Sequence, residues 1–316
     1  MAIAKEFNFN FTGRDFISLN DFTADEIHYL LEVAENLKAK QKAGKPQPLL
    51  KGKTLGMIFT KASTRTRVSF EVAMYQLGGN TLFLNERDIQ LGRGESIPDT
   101  ARVLSRYLDG IMIRTYSHDD VLQLAEYADI PVINGLTDLL HPCQVLADLL
   151  TIKEKKGTLA GLKMVYVGDG NNMAHSLMFG GAKMGMHVVI ASPEGYKPDP
   201  KIVEMASHDA AQYGGKIEIC SNPLAAAIGA DIIYTDVWAS MGQEAEQIQR
   251  LKDFQGYQVN QSMLNVAHQD VIVLHCLPAH RGEEISAEVL DGPHSVIFDE
   301  AENRLHAQKA ILALVM

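Results

Sequence analysis

Short apolar runs alternate with amphipathic stretches along most of the chain. The apolar runs have the length of strands and lie, in the first half, at Thr54–Phe59, Asn80–Leu84, Gly110–Arg114 and Pro131–Asn134. The second half adds Lys163–Val167, His187–Ala191, Lys216–Ile219, Ile232–Thr235, Val271–His275 and Ser295–Phe298. Helical periodicity is found between them, for example at Arg67–Leu77, Asp99–Leu108 and Asp199–Tyr213. This alternation predicts an α/β fold with parallel sheets and helices on both faces.

The pattern divides into two predicted domains. The helical stretch Gln144–Lys155 ends in the polar run KEKKGTLAG, which has the composition of a boundary. We therefore expect residues 1–150 and 151–300 to form one domain each, both with a parallel sheet flanked by helices. The final stretch, Ala301–Leu314, is predicted to be a helix, and residues 301–316 are expected to pack back on the first domain.

Composition narrows the class of protein. The 316 residues are 46% hydrophobic and 22% charged, which is typical of globular proteins and unlike disordered or fibrous chains. No apolar run reaches the roughly 18 residues of a transmembrane helix, and the N-terminus lacks the apolar core of a signal peptide. Three cysteines without a CxxC pair fit a reducing compartment, so we expect a cytoplasmic protein. The formal net charge of −10 argues against nucleic-acid binding but is compatible with a basic pocket for a small anion.

The first predicted strand runs directly into a segment rich in anion-binding groups. These groups are the hydroxyls of Ser63, Thr64 and Thr66 and the guanidinium groups of Arg65 and Arg67. A helix N-terminus follows, with N–H groups and a positive dipole end that suit a phosphate. Arginine adds bidentate geometry. The alternative is an ordinary capped helix with solvated arginines, but the run holds more anion-binding side chains than capping needs.

Polar side chains also follow other predicted strands of the first half. The third strand ends on Arg114, a charge that is expensive to bury unless it is paired. His141 and Gln144 stand three apart at the start of a predicted helix, which would place them on one face. Taken alone, His141 is better interpreted as a satisfied structural histidine than as a ligand-binding residue. The segment NERDIQLGRGESIPD is either a solvated loop or a mobile lid that brings Gln90 or Arg93 to a ligand.

The first strand of the second half ends in GDGNNMAHSLM. Gly168 and Gly170 suggest a dinucleotide site, yet the third glycine of GxGxxG is missing. The next strand also lacks an acidic residue at its end, where the sequence reads ASPEG. A dehydrogenase is therefore a weak alternative. Asn171 and Asn172 are equally compatible with hydrogen bonding to a zwitterionic ligand and with helix capping.

Two later strand ends offer complementary chemistry for an amine. Asp236 supplies the negative charge that an ammonium group needs, and Ser240 and Met241 lie in a turn that can present backbone groups to a ligand. Cys276 ends the strand that closes on His275.

Two other interpretations of the last strand end are disfavoured. A metal at His275, Cys276 and His280 would need a fourth ligand that the spacing does not provide. A Cys–His nucleophile pair would need an orienting Asn or Asp beside it. We therefore predict neither a metal nor a covalent intermediate, and interpret Cys276 as a polar contact able to ionise.

Together these segments resemble the aspartate/ornithine carbamoyltransferase family. The matching segments are Ser63-Thr64-Arg65-Thr66-Arg67, Leu84–Tyr107, His141-Pro142-Cys143-Gln144, Asp169–Ser176, Asp236–Gly242, His275–Pro278 and Phe298–Arg304. They cover nearly the whole chain. Aspartate-specific members carry threonine where this chain has Cys143 and lack the Asp-x-x-x-Ser-Met-Gly pattern that begins at Asp236. The resemblance is therefore to the members that act on ornithine.

The resemblance implies roles for the residues at matching positions. The phosphate of carbamoyl phosphate is expected at Ser63, Thr64, Arg65 and Thr66. Its carbamoyl group is expected at Arg114, His141, Gln144 and Arg304, with Gln90 approaching from the lid of the same or a neighbouring subunit. Cys276 and Leu277 are expected at the reacting end of the carbamoyl phosphate site. The amino-acid part of ornithine is expected at Asn172, Asp236, Ser240 and Met241. Catalysis is expected to depend on Cys276, Asp236, Arg114 and His141.

The resemblance also implies the reaction and the assembly. Carbamoyl phosphate and L-ornithine are expected to give L-citrulline and phosphate by direct attack of the side-chain amine, because the electrophile is already activated. An active site in the cleft between two domains, no cofactor, and a homotrimer or a multiple of trimers are expected. The implied role is in arginine metabolism, with synthesis and breakdown both open.

Alternative functions follow from the same residues. One is a carbamoyltransferase for acetylornithine, putrescine or aspartate, and another is a non-catalytic anion-binding protein of the same fold. Arg65, His141, Asp236 and Cys276 occur together, which argues against the second, since phosphate binding alone would not need the groups predicted to hold the amine.

Overall fold

The computed structural model describes residues 9–90, 94–240, 242 and 244–316. It confirms the predicted α/β class, because two parallel sheets are flanked by helices. The chain divides into two compact units. The first contains Met1–Ala147 and Asn303–Met316, and the second contains Asp148–Glu302.

The first unit is built on a four-stranded sheet. Its strands are β1 (Thr54–Phe59), β2 (Asn80–Asn85), β3 (Gly110–Arg114) and β4 (Val132–Leu136). Its helices are α1 (Ala24–Lys42), α2 (Thr64–Gln76), α3 (Ile97–Leu104) and α4 (His118–Tyr127), with the start of α5 (Pro142–Lys156) and most of α12 (Ile297–Val315). The order is β2-β1-β3-β4, and all pairs are parallel. The central strands β1 and β3 are buried almost throughout, which explains their continuous apolar sequence.

The second unit is built on a five-stranded sheet. Its strands are β5 (Lys163–Val167), β6 (His187–Ala191), β7 (Lys216–Cys220), β8 (Ile232–Thr235) and β9 (Ile272–His275). Its remaining helices are α6 (Asn172–Lys183), α7 (Pro200–Tyr213), α8 (Pro223–Ala227), α9 (Gln247–Asp253), α10 (Gln261–Leu264) and α11 (Ala287–Leu290). The order is β7-β6-β5-β8-β9, again parallel. The carboxyl ends of all strands in each sheet therefore face one edge, where ligands bind in such sheets.

The predicted strand Ser295–Phe298 is wrong. Ser295 forms a single parallel bridge to Val273, and helix α12 begins at Ile297. Asp299 and Glu300 stand in the first turn of α12, where negative charge stabilises a helix. The apolar run that suggested a strand is thus the end of a loop and the first turn of a longer helix.

Other predicted elements are confirmed with shifted ends. Helix α2 begins three residues before the predicted Arg67, because Ser63 caps it: the Ser63 hydroxyl accepts the Thr66 N–H at 3.2 Å. Helix α3 begins at Ile97 behind the cap Ser96 and ends at Leu104, short of the predicted Leu108.

The C-terminal helix packs on the first unit, as predicted. The N–H of Gly13 donates to the carbonyl of Val315 at 2.8 Å, and Lys38 Nζ donates to Asn303 Oδ1 at 2.7 Å. A side chain at Gly110 would meet the Met316 side chain at 3.2 Å, which shows how closely β3 approaches the chain end. Within the described residues, no helix is both long and apolar enough to cross a bilayer.

Candidate active site

The loop after β1 leads into a helix N-terminus that is open to an anion. Ser63 and Arg65 are half-buried, Thr64 is exposed and Thr66 is buried. The first turn of α2 contains no acidic residue, so its positive dipole end is not neutralised from within the helix. Arg67 lies apart: its Nε donates to Glu71 Oε1 at 3.0 Å, and its guanidinium stacks over Phe83. The capped-helix alternative thus describes Ser63 and Arg67.

A buried polar cluster joins four elements of the first unit. Arg304 of α12 donates through Nη2 to Thr66 Oγ1 and through Nη1 to Gln144 Oε1, both at 2.9 Å. Arg114, at the end of β3, donates to the same Thr66 hydroxyl at 3.5 Å. All four side chains are almost completely buried. Two guanidinium groups are therefore held together around one hydroxyl, in a geometry that favours an anionic ligand.

His141 completes this cluster. It is buried immediately before α5. Burial lowers the pKa of His141 well below its usual range, and the charges of Arg304, Arg114 and Arg65 lower it further. The imidazole is therefore neutral near pH 7 and can donate or accept a hydrogen bond without adding charge. Three guanidinium groups acting on one imidazole identify this place as strongly electropositive.

Gln90 and Cys143 of the first unit make their described contacts outside the cluster. Gln90 is exposed, and among the described contacts its carbonyl accepts the Glu95 N–H at 3.4 Å without a link to the cluster. Arg93, in the predicted lid, lies outside the described residues. Cys143 is buried, and its thiol donates to the Asn134 carbonyl at 3.3 Å. Burial raises the pKa of Cys143 to about 12, so this thiol is not a nucleophile near neutrality.

In the second unit, the ends of β8 and β9 bring Asp236 and Cys276 together. The Cys276 thiol donates to Asp236 Oδ1 at 3.0 Å, and the same oxygen accepts the Val237 N–H at 2.8 Å. Burial raises the pKa of Cys276 well above its usual range, and the negative charge of Asp236 adds to the effect. The thiol is therefore protonated near pH 7, and ionisation of Cys276 is disfavoured.

His275 does not activate this thiol. Its Nδ1 accepts the Leu277 N–H at 2.8 Å, and its Nε2 lies 3.0 Å from Glu284 Oε1, which makes Nε2 the protonated nitrogen. Both ring nitrogens are thus engaged away from Cys276, which disfavours a Cys–His nucleophile pair. Leu277 is half-buried and has a left-handed backbone (φ 59°), a conformation that often marks functional sites.

The structure groups possible metal ligands differently from the sequence. Atoms of Asp236, His275 and Cys276 lie within 4.8 Å of one another, while His280 falls in a separate group with Glu283 and Glu284. The ring nitrogens of His275 already have partners, so a metal at the first group would have to break one of these bonds. The absence of a functional metal stays a prediction.

The turn after β5 is filled by the chain itself. A Cβ at Gly170 would lie 2.2 Å from the Pro198 backbone nitrogen, and the Gly170 N–H donates to the Tyr196 carbonyl at 2.7 Å. Gly170 permits close packing of a neighbouring loop. In a dinucleotide site, the glycine would instead allow the backbone to approach a pyrophosphate. Asn171 caps α6 through the Met173 N–H at 3.0 Å, and Asn172 is the half-buried first residue of that helix.

Sequence reasoning missed the residue that secures the loop after β8. Arg250 is buried and donates through Nη1 to Asp169 Oδ2 at 2.6 Å and to the Trp238 carbonyl at 2.8 Å. Its Nε donates to Glu246 Oε2 at 2.9 Å. The signal available in the sequence was Asp169 at a strand end, which required a cationic partner. Ser240 is half-buried within this loop, and Met241 lies outside the described residues.

Comparison with known proteins agrees with this geometry. The domain family described as "Aspartate/ornithine carbamoyltransferase, carbamoyl-P binding domain" matches residues 14–154, and the corresponding "Asp/Orn binding domain" matches residues 160–315. An ornithine carbamoyltransferase of Symbiobacterium thermophilum is 65% identical over 304 residues, which are 96% of this chain and 98% of that protein. An anabolic ornithine carbamoyltransferase of Pyrococcus furiosus is 61% identical over 96% of both chains.

Solved structures agree as well. The structure of the ornithine carbamoyltransferase from Pyrococcus furiosus superposes with a TM-score of 0.95 at 60% identity, covering 98% of each chain. Full-length matches in sequence and structure, together with both domain families, leave one assignment: the chain belongs to the aspartate/ornithine carbamoyltransferase family.

Proposed function

We propose that this chain transfers the carbamoyl group of carbamoyl phosphate to the side-chain amine of L-ornithine, giving L-citrulline and phosphate. The observation that carries the proposal is the buried cluster in which Arg114 and Arg304 both donate to Thr66, because two guanidinium groups held together suit a phosphorylated donor. Ornithine as the acceptor is supported by the Ser-Met-Gly pattern after Asp236 and by the names of the relatives.

The donor is proposed to bind in the first unit with its phosphate at the start of α2. Ser63, Thr64, Arg65 and Thr66 would supply hydroxyl, N–H and guanidinium donors to the phosphate oxygens. The carbamoyl oxygen would be polarised by Thr66, Arg114 and His141, and Gln144 and Arg304 would fix the orientation of these groups. Preorganised donors stabilise the charge that develops on the carbonyl oxygen and on the leaving phosphate.

The acceptor is proposed to bind near Asn172, Asp236, Ser240 and Met241. The side-chain amine of ornithine, like that of lysine, has a pKa of about 10.4, so only about one molecule in a few thousand is neutral at pH 7. Asp236 would attract and orient the ammonium form, and Cys276 and Leu277 would contact the reacting end. Direct attack by the neutral amine then needs no covalent intermediate, because carbamoyl phosphate is already activated.

A serine in place of Cys276 is expected to retain part of the activity. The Ser hydroxyl can still donate to Asp236, but its C–O bond is shorter than the C–S bond of cysteine, which weakens the contact. We therefore expect kcat/KM for ornithine to fall by about 10- to 100-fold without complete loss of activity. Citrulline formation by purified Cys276→Ser checks this. Complete inactivity, together with a carbamoyl adduct on Cys276 of the wild-type protein, would contradict direct attack.

The assembly proposed for this chain is a homotrimer or a multiple of trimers, with Gln90 serving a site from its own or a neighbouring subunit. Tyr75 and Tyr107 of the first unit are largely exposed, as expected of apolar side chains that a partner covers. Light scattering of the active protein at assay concentration should give a multiple of three chains, and a fully active monomer would contradict it. A cytoplasmic location is proposed on the grounds of composition.

An assay with four acceptors tests the function as a whole. Purified protein and carbamoyl phosphate should produce citrulline with ornithine, and much less product with acetylornithine, putrescine or aspartate. Preference for another amine would mean that the protein is a carbamoyltransferase for that amine. Carbamoyl phosphate binding without turnover would indicate the non-catalytic alternative. A role in arginine biosynthesis is supported by the relatives named anabolic.

A further inference from the structure

The ends of β8 and β9 are joined by a side chain that the mechanism above does not use. Glu300, in the first turn of α12, is 1% exposed. Its Oε1 accepts the Tyr234 hydroxyl at 3.1 Å, and its Oε2 accepts the His275 N–H at 2.8 Å. Tyr234 stands two residues before Asp236, and His275 stands directly before Cys276. One carboxyl group thus spans both strands that carry the paired acid and thiol.

Glu300 accepts a hydrogen bond from β9 at the point where the backbone pairing of that strand ends. On the outer edge of β9, the Val273 N–H donates to the His294 carbonyl at 2.8 Å, and the Val296 N–H donates to the Val273 carbonyl at 3.0 Å. The chain then turns into α12 before a second bridge forms. The His275 N–H points to the same side as that of Val273, and Glu300 supplies the oxygen it needs. The side chain therefore extends the hydrogen bonding of an edge strand to the residue beside Cys276.

Glu300 is itself held by a second carboxyl group. It shares a hydrogen bond with Asp148 of α5, which is fully buried. Two carboxyl groups can share a hydrogen bond only if one of them carries a proton, and two adjacent buried charges would repel. The titratable groups around the pair are Tyr234, His275, Cys276 and Asp236.

The contacts of Glu300 favour the arrangement in which Asp148 carries the shared proton. Both oxygens of Glu300 already accept from donors, namely the Tyr234 hydroxyl and the His275 N–H. Burial raises the pKa of Tyr234 well above its usual range, so its hydroxyl stays a donor. The position of Glu300 in the first turn of α12 also favours its ionised form. Burial raises the pKa of Glu300, but the bonds from His275 and Asp148 oppose that rise.

We propose that Glu300, which bridges Tyr234 and His275, is a positioning residue that aligns Asp236 with Cys276. The role rests on the proposed carbamoyl transfer. It predicts that displacement of Glu300 loosens the 3.0 Å contact between the Cys276 thiol and Asp236, and with it the place where the amine reacts.

Amide substitutions test the two members separately. In Asp148→Asn, the amide NH₂ donates to Glu300 as the protonated acid does, so kcat/KM for ornithine should fall by no more than about threefold. In Glu300→Gln, one of the two acceptor oxygens becomes an NH₂, which either meets the donating His275 N–H or turns the Tyr234 hydroxyl from donor into acceptor. The remaining oxygen must then accept every other bond of the carboxyl group, and kcat/KM should fall by about 10- to 100-fold. The dissociation constant of carbamoyl phosphate should change by less than about twofold in both. Asp209→Asn is the matched control, because Asp209 is a buried carboxylate of the same unit paired with Lys183 at 2.8 Å.

A second measurement works without turnover. Iodoacetamide alkylation of Cys276, followed by mass spectrometry, should be several-fold faster in Glu300→Gln than in wild type, Asp148→Asn or Asp209→Asn. The alkylation rate tests the positioning role independently of the proposed function. If the wild-type protein forms no citrulline, the proposed function is refuted, but the alkylation rates still show whether Glu300 positions Cys276.

Three results would overturn the inference. They are a Glu300→Gln variant with wild-type kcat/KM and alkylation rate, an Asp148→Asn variant that loses more activity than Glu300→Gln, and an Asp209→Asn control that loses as much. If Glu300→Gln does not fold, the same measurements are made on Tyr234→Phe, which removes the hydrogen bond between Tyr234 and Glu300 and keeps the one from His275. Unchanged kcat/KM and alkylation in Tyr234→Phe would equally overturn the role.

Discussion

Replacement of Asp236 by asparagine is expected to lower kcat/KM for ornithine by about 10²- to 10³-fold, since removal of one partner from a buried charge pair costs about 3–5 kcal/mol. The carboxylate is buried at the end of β8, and the Cys276 thiol donates to it. Asparagine keeps the shape but loses the charge that would hold the ornithine ammonium group. Initial rates of citrulline formation over a range of ornithine concentrations measure the loss.

Asp231 provides the control for that experiment. It precedes β8 at the opposite end of the strand, and its Oδ2 accepts the Lys163 N–H at 2.8 Å. Asp231→Asn changes charge by the same amount and should leave kcat/KM for ornithine within about twofold, because Asp231 lies at the other end of the strand and the amide oxygen can still accept the Lys163 N–H. If Asp236→Asn carbamoylates ornithine at the wild-type rate, the amine binds elsewhere.

Truncation of Arg65 is expected to produce a comparable loss on the donor side. Arg65→Ala should lower kcat/KM for carbamoyl phosphate by about 10²-fold or more, the usual result of removing one preorganised donor to a developing anion. The fold should survive, because Ser63 still caps α2 and Arg65 is only half-buried. Initial rates at subsaturating carbamoyl phosphate give the effect, and circular dichroism monitors the fold.

The same helix contains a matched control. Arg67 stands two residues further on, pairs with Glu71 and stacks over Phe83. Arg67→Ala removes the same charge and should change kcat/KM for carbamoyl phosphate by less than about threefold, because exposed ion pairs contribute about 1 kcal/mol or less. Equal losses in both variants would mean that net charge, and not the position of Arg65, governs donor binding.

Strand prediction succeeded where burial on both faces enforced continuous apolar runs. β1, β3, β5 and β8 were predicted at their observed bounds, because each is a buried strand of a parallel sheet. The failure at Ser295–Phe298 has a local cause. Its residues Val296 and Ile297 are apolar and β-branched, but a buried first helical turn has the same composition as a short strand. The helical turn is shown by the Glu300 N–H, which donates to the Val296 carbonyl at 2.9 Å.

The candidate site was predictable where its residues stand at strand ends, and less so where long-range partners define them. Asp236, Cys276 and Arg114 follow strands, so the parallel topology places them at one edge of their own sheets. Arg304 comes from a helix 160 residues after Gln144, and local pattern gave no reason to join them; the family resemblance did. Arg250, Glu284 and Glu300 were missed because each meets its partner only after folding.

Arg250 also bears on how new acceptor preferences could be engineered. Its bonds to the Trp238 carbonyl and to Glu246 fasten both ends of the loop between them, and its bond to Asp169 ties that closure to the end of β5. The placement of this loop thus depends on Arg250, a residue that lies outside it. A chimaera that imports residues 237–246 from a relative with another substrate should work only if the donor's counterparts of Arg250 and Asp169 are transplanted with them.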